Sequence, residues 1–333
     1  MGDRSAALNL TIFTEPTVAP PPPSESNSLI DPEVTPAFIQ NITSSLDGPF
    51  RGCQDGQGNI YMADKWHHRI IKYNASFDRL DYIGKRNRPG VATNRLHSPS
   101  AVAIDSNGNL FIADTGNDRL MICDSDLSFL KVVGSFGSGT DQFDIPIDIA
   151  VDPDGDVYIA DFGNARLLRY SNDFLYKQSY SVFESGEGPI AIDIDEEGFL
   201  YVLVASDKPS SIANHIYKLD PSGDIIWKKI GYGESTGLLK EPQDLHVNKR
   251  GTIFVTDTYN YRIQVFDNNA SHIMSWGGKG TGNDTFFTLR GILALSNGDI
   301  LVSDTELDRM KVFRPSYIGF ITTSSSPSTQ PNA

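Results

Sequence analysis

Two sets of polar residues in this chain of 333 residues have spacings that could carry chemistry. The first is an aspartate followed five residues later by an arginine: Asp64 and Arg69, Asp114 and Arg119, Asp161 and Arg166, Asp257 and Arg262, Asp304 and Arg309. A row of such pairs could bind a charged ligand. Recurrence at five equivalent places points instead to charge-assisted hydrogen bonds that hold loops together. The second set follows a recurring proline: Arg51, Asp148, Gln243, Asp244 and Arg290, with Asp193 and His246 one step deeper. Carboxylates of this set that converge on an axis could hold a Ca²⁺ through oxygen ligands; ordered water with arginine pairing is the other filling.

The elements that position these residues are repeats. Glycines at Gly58, Gly108, Gly155, Gly198, Gly251 and Gly298 are spaced by 50, 47, 43, 53 and 47 residues, a period that belongs to propellers and solenoids. A proline stands nine residues before the glycine in five repeats, as Pro49, Pro99, Pro146, Pro189 and Pro242, with Leu289 in the sixth. Each repeat offers four strand-sized apolar runs and no helical period, as in Ala101 to Asp105, Leu110 to Ala113, Arg119 to Cys123 and Phe129 to Val133. Four antiparallel strands per repeat make one propeller blade.

Asn117-Asp118-Arg119-Leu120 and Asn260-Tyr261-Arg262-Ile263 are variants of an Asn-His-Leu signature, and on these the chain resembles the NHL-repeat β-propellers from roughly Asp47 to Phe320. The resemblance implies an all-β, six-bladed propeller of four-stranded antiparallel blades with extended terminal tails. The expected organisation is a Pro-rich arm over residues 1–35, a propeller over 36–321 and a Ser/Thr/Pro-rich tail over 322–333. A strand near Ala37 to Ile42, beside Val312 or Ile318, is expected to hide the open edge of the last blade. The family leaves function open, since such propellers serve as lyases, RNA binders, receptor sensor domains and scaffolds.

The formal charge is −14, of which −4 falls on residues 1–46. A surface this negative repels phosphate backbones and argues against the RNA-binding branch; Lys85-Arg86-Asn87-Arg88 reads as a solvated loop between blades. No apolar run of about 18 residues could span a bilayer. Sequons stand at Asn9, Asn41, Asn74, Asn269 and Asn283, with Asn74 and Asn269 in the same turn of blades 1 and 5. With a tail suited to O-glycosylation, they place the chain at the cell exterior or surface. Cys53 on an inner strand of blade 1 and Cys123 on the third strand of blade 2 read as free thiols or, less simply, a bridge between blades.

Resemblance to the peptidyl-amidoglycolate lyase branch would imply a zinc held by histidines on separate inner strands. Only His246 lies on an inner strand; His67, His68, His97, His215 and His272 lie on loops or outer strands. One imidazole does not make a three-ligand zinc site, and a Gly-x-Ser-x-Gly elbow and a phosphate-binding glycine loop are both missing. Blade 4 departs from the pattern, with Val204 in the aspartate position and extra residues in Ala205 to Asn214, either an added function or a tolerated insertion. The reading that results is a non-enzymatic extracellular propeller that binds or assembles, with the alternatives of a metal-dependent lyase and an RNA binder. Residues Leu8 to Val18 are β-prone and apolar enough to add as a strand to a partner or to another copy, giving a filament.

Overall fold

The computed structural model describes residues 29–43, 45–206 and 214–318. The proposed docking strand at Leu8 to Val18, the sequon at Asn9, most of the blade 4 insertion and the Ser/Thr/Pro tail lie outside the described residues.

Six four-stranded antiparallel sheets stand around one axis, numbered here as blades in chain order. Blade 1 runs from the axis outward as Pro49–Gln54, Ile60–Asp64, Arg69–Tyr73 and Arg79–Gly84, and blade 2 as Ala101–Ile104, Asn109–Asp114, Arg119–Asp124 and Phe129–Val133. Blades 3, 4 and 5 repeat this order from Pro146, Glu187 and Leu245. Blade 6 takes Leu289–Ala294, Ile300–Asp304 and Arg309–Arg314 from the end of the chain and its outer strand, Ala37–Ile42, from the beginning. Gln40 pairs with Val312 and Ile42 with Met310, so the expected closure is present. A further short pairing joins Leu29–Ile30 to Tyr317–Ile318.

Burial follows from this geometry. The second strand of a blade is covered by both neighbouring blades, and Ile60–Asp64, Val157–Asp161, Ile253–Asp257 and Ile300–Asp304 are buried at every position, which is why they read as continuous apolar runs. The core is accordingly divided into six clusters, one in each wedge between neighbours; Ile112 and Met121 of blade 2, for instance, share a cluster with Ile70 of blade 1. The wedge between blades 6 and 1 closes the ring with Ile42, Leu301 and Met310 against Ile60 and Tyr73.

The repeat glycine has a local cause. It ends the turn between the first and second strands with φ between +74° and +89° in all six blades, a region that disfavours any Cβ. In blade 1 the turn is fixed by Asp55, whose Oδ1 accepts the Gln57 and Asn59 N–H groups at 2.9 and 2.8 Å.

Truncations should separate tail from fold. Removing residues 1–28 is expected to leave the thermal melt nearly unchanged. Removing residues 1–43 deletes a strand and takes Ile30 and Ile42 from the core, at about 2–5 kcal/mol for each buried side chain; circular dichroism melts should show a drop of several degrees or insoluble protein.

Candidate functional site: the axial channel

Strand-forming sequence brings the residue two after each inner-strand proline, or its blade 6 equivalent, to the axis: Arg51, Ala101, Asp148, Ala191, Asp244 and Gly291. Three of the six are alanine or glycine, which leaves the space that one long side chain then fills. Arg51 lies across the channel and is 6% exposed. Its Nε donates to Asp244 Oδ1 at 2.8 Å, Nη1 to the Ile147 carbonyl at 3.1 Å, and Nη2 to the carbonyls of Ile190, at 2.7 Å, and Gln243. Asp148 Oδ2 stands 3.7 Å from Nε. One guanidinium from blade 1 thus ties blades 3, 4 and 5 together.

The axial carboxylates are engaged a second time by backbone. Asp148 accepts the Ile192 N–H of blade 4 at 2.9 Å, Asp193 accepts Val247 of blade 5 at 2.7 Å, and Asp244 accepts Ile292 of blade 6 at 2.8 Å. Each carboxylate therefore links its own inner strand to the next. Burial, with the Asp244 charge adding to it and Arg51 opposing, holds Asp148 above the usual carboxylate range.

On one side of Arg51 the channel opens into a cavity of about 430 Å³ lined by Cys53, Ala103, Ala150, Asp193, His246 and Leu293 among others. His246 Nδ1 is 2.8 Å from Asp193 Oδ2, an arrangement that orients the imidazole. The predicted channel residues Arg51, Asp148, Asp193, Asp244 and His246 all line this cavity, whereas Arg290 does not and instead donates to Gln243 Oε1 at 2.9 Å at the other mouth. Of the two fillings the sequence leaves open for this ring, a Ca²⁺ or water with arginine pairing, the arginine is what lies against Asp148 and Asp244, its Nε 3.7 and 2.8 Å from their carboxylates. Among the described residues no group of three His, Cys, Asp or Glu side chains stands together as a metal site.

The five Asp and Arg pairs lie away from the axis, in the hairpins between second and third strands. All five aspartates are fully buried. Asp161 receives Arg166 Nε on Oδ2 at 2.8 Å and the Asp144 N–H of the preceding inter-blade loop on Oδ1 at 2.7 Å. The rest of the guanidinium donates to the Ser138, Gly139 and Gln142 carbonyls of that loop. Asp64 with Arg69, Asp114 with Arg119, Asp257 with Arg262 and Asp304 with Arg309 repeat the pairing.

Blade 4 solves the same problem with other residues. Val204 is buried and pairs with His215, and the buried carboxylate comes from Glu187 at the start of the inner strand. Glu187 accepts the Tyr217 hydroxyl at 2.7 Å and Lys228 Nζ at 3.3 Å; burial, reinforced by the Glu187 hydrogen bond, pushes Tyr217 up to about 12. This group was missed in the sequence, and its only signal is an acidic residue two before Pro189 in the blade that lacks the aspartate.

The remaining expected positions are scattered. His67 is clamped between Asp64 and Arg86, at 3.0 and 2.8 Å, so Arg86 of the basic loop is engaged by its own blade. His68 and His97 meet edge to face at 5.6 Å. Cys53 and Cys123 are free thiols, Cys53 half-buried in the channel. Asn41, Asn269 and Asn283 are exposed. Asn74 and Asn269 share a turn but not a position: Asn74 is the first residue, its Oδ1 accepting the Ser76 and Asp78 N–H groups at 2.9 Å, and Asp267 fills that role in blade 5.

Comparison with known proteins agrees with this construction. The NHL repeat model matches residues 143–170 and 239–266, in each case the inter-blade loop and first three strands of a blade. The chain is a six-bladed β-propeller that carries NHL repeats in blades 3 and 5. No curated protein sequence matches it. Solved structures of similar fold include a virginiamycin B lyase from Staphylococcus aureus, 13% identical, covering 83% of this chain and 99% of that one with a TM-score of 0.56. A gluconolactonase from Xanthomonas campestris is 12% identical, covers 88% and 99%, and gives a TM-score of 0.62. At that identity the likeness is one of fold, and the NHL propeller takes no activity from it.

The raised Asp148 makes stability pH-dependent. The folded chain holds a proton that the unfolded one releases near pH 4, so stability falls as pH rises from about 4 toward neutrality. Urea denaturation at a series of pH values should show Asp148→Asn with a shallower fall than the parent. Arg51→Met leaves two carboxylates buried without their cation and is expected to cost about 3–5 kcal/mol.

Proposed function

We propose that this NHL propeller is a non-catalytic extracellular scaffold that binds partners or further copies of itself through its rim. The observation that carries this reading is the contrast among outer strands. In blade 5 the outer strand His272–Gly277 is largely covered, with Ile30 from the chain's own beginning packed against Met274 and Trp276. In blades 1 to 4 the corresponding strands expose Leu80 and Tyr82, Phe129, Leu130 and Val132, Tyr176, and Ile225 and Ile226, with Leu175 exposed just before the blade 3 strand. Apolar side chains on unpaired strand edges are the surface to which an extended segment adds. The segment Leu8 to Val18 has the composition for that addition, and exposed sequons at Asn269 and Asn283 suit an extracellular chain.

A second reading is an enzyme that uses His246 as a general base in the channel, supported by the Asp193 and His246 pair. His246→Ala would abolish any turnover under that reading and leave association untouched under the first. Net charge opposes the third reading, RNA binding.

Static light scattering across protein concentration tests the scaffold. The full chain is expected to associate, and both removal of residues 1–28 and the pair Leu130→Lys with Val132→Lys should reduce association while the melt stays cooperative. A full chain that stays monomeric at the highest reachable concentration and captures no partner from the source's extracellular fluid overturns the reading.

A further inference from the structure

Two cations meet at one aromatic ring at the mouth opposite the cavity. Phe50, at the start of the blade 1 inner strand, is buried, and Lys65 Nζ lies 4.1 Å from its ring centroid with Arg290 Cζ at 5.4 Å. Lys65 directly follows the hairpin aspartate, the position where Thr115, Thr258 and Thr305 use Oγ1 to donate to the inner strand of the next blade at 2.8, 2.8 and 2.6 Å. Blade 1 has in that place a long cation that lies against the Phe50 ring.

Neither cation is neutralised there. The carboxylates beneath them, Asp148 and Asp244, belong to Arg51. Arg290 makes its hydrogen bond to an uncharged amide, that of Gln243. Glu306 acts on Arg290 from the neighbouring hairpin without forming an ion pair, and Lys65 has no carboxylate partner among the described residues. Burial, followed by the charges of Arg51 and Arg290, pushes Lys65 down to about 8. Burial also lowers Arg290, Glu306 and Tyr259 opposing and Arg51 adding to the effect. Both cations lie against the Phe50 ring, which is a weaker partner for a charge than a carboxylate would be.

We propose that Lys65 and Arg290 form a binding site for a small oxyanion, a carboxylate or a phosphate group, beside the Phe50 ring at this mouth of the channel. The two donors approach the anion from different blades, 1 and 6, so the ligand would bridge the wedge that closes the ring. Arg51 blocks the axis beneath, which limits the site to a group presented from outside. The inference does not depend on the rim acting as a scaffold.

Isothermal titration calorimetry of the full chain at low salt, with sodium acetate and with sodium phosphate, tests it. Saturable binding of one of the two is expected, and which one binds assigns the group as carboxylate or phosphate. Lys65→Met and Arg290→Met should each weaken binding about ten-fold or more, the value of a charge-assisted hydrogen bond. Acetate keeps a constant charge above about pH 6, so its affinity should fall as pH passes about 8, where the free Lys65 loses its proton. Cooperative melts of both variants show that they are folded. No saturable binding of either anion to the parent, or unchanged affinity in both folded variants, overturns the proposal.

Discussion

Each blade makes its ladder of backbone hydrogen bonds among its own four strands, and the next blade packs beside it largely through side chains. The joint between blades must therefore be made by apolar wedges and by a few polar side chains long enough to cross. The fully buried hairpin aspartate is the chief of these: one oxygen takes an arginine and the other takes the backbone N–H of the loop arriving from the previous blade, as Asp161 does with Arg166 and Asp144. A carboxylate without water is tolerated only when both oxygens are occupied by donors. The arginine is in turn held by carbonyls of the same loop, so the pair specifies the path of the chain between blades as well as the hairpin.

The axis obeys the same rule with different residues. Asp148, Asp193 and Asp244 each reach the N–H of the next inner strand, and Arg51 supplies the cation that three blades share. Blade 4, which lacks the hairpin pair, uses Glu187 with Tyr217 and Lys228. The carboxylate moves from the second strand to the first, and the cation from the third strand to the fourth. What is preserved is a buried acceptor matched to donors, and the sequence position is free to change.

This division of labour leaves three surfaces for function. The axial polar groups are largely spent on one another, and among them the Asp193 and His246 pair lines the cavity. The opposite mouth holds Lys65 and Arg290 around Phe50. The rim holds the exposed apolar strands of blades 1 to 4, with blade 5 already covered by Ile30. A propeller can serve a ligand at its mouth and a partner at its rim without either site disturbing the wedges between.

The sequence by itself determined the blade count, the strand positions and the role of the hairpin pairs, because those depend on local rules repeated six times. A positive φ demands glycine in each tight turn, and a strand covered on both faces demands a continuous apolar run. The closing strand was legible too, since an unpaired final blade has only the chain's beginning to complete it. Partners far apart in the chain were decided by the tertiary structure alone. Arg51 meets groups 96 to 193 residues away, and nothing local distinguishes an arginine that plugs the axis from one that rings it. The shared turn of Asn74 and Asn269 was visible, while their different places in it depended on which residue accepts the turn's N–H groups. Lys65 stands where three blades carry threonine, and its meaning came from the ring of Phe50 and the charge of Arg290, the second of which only closure of blade 6 against blade 1 brings beside it.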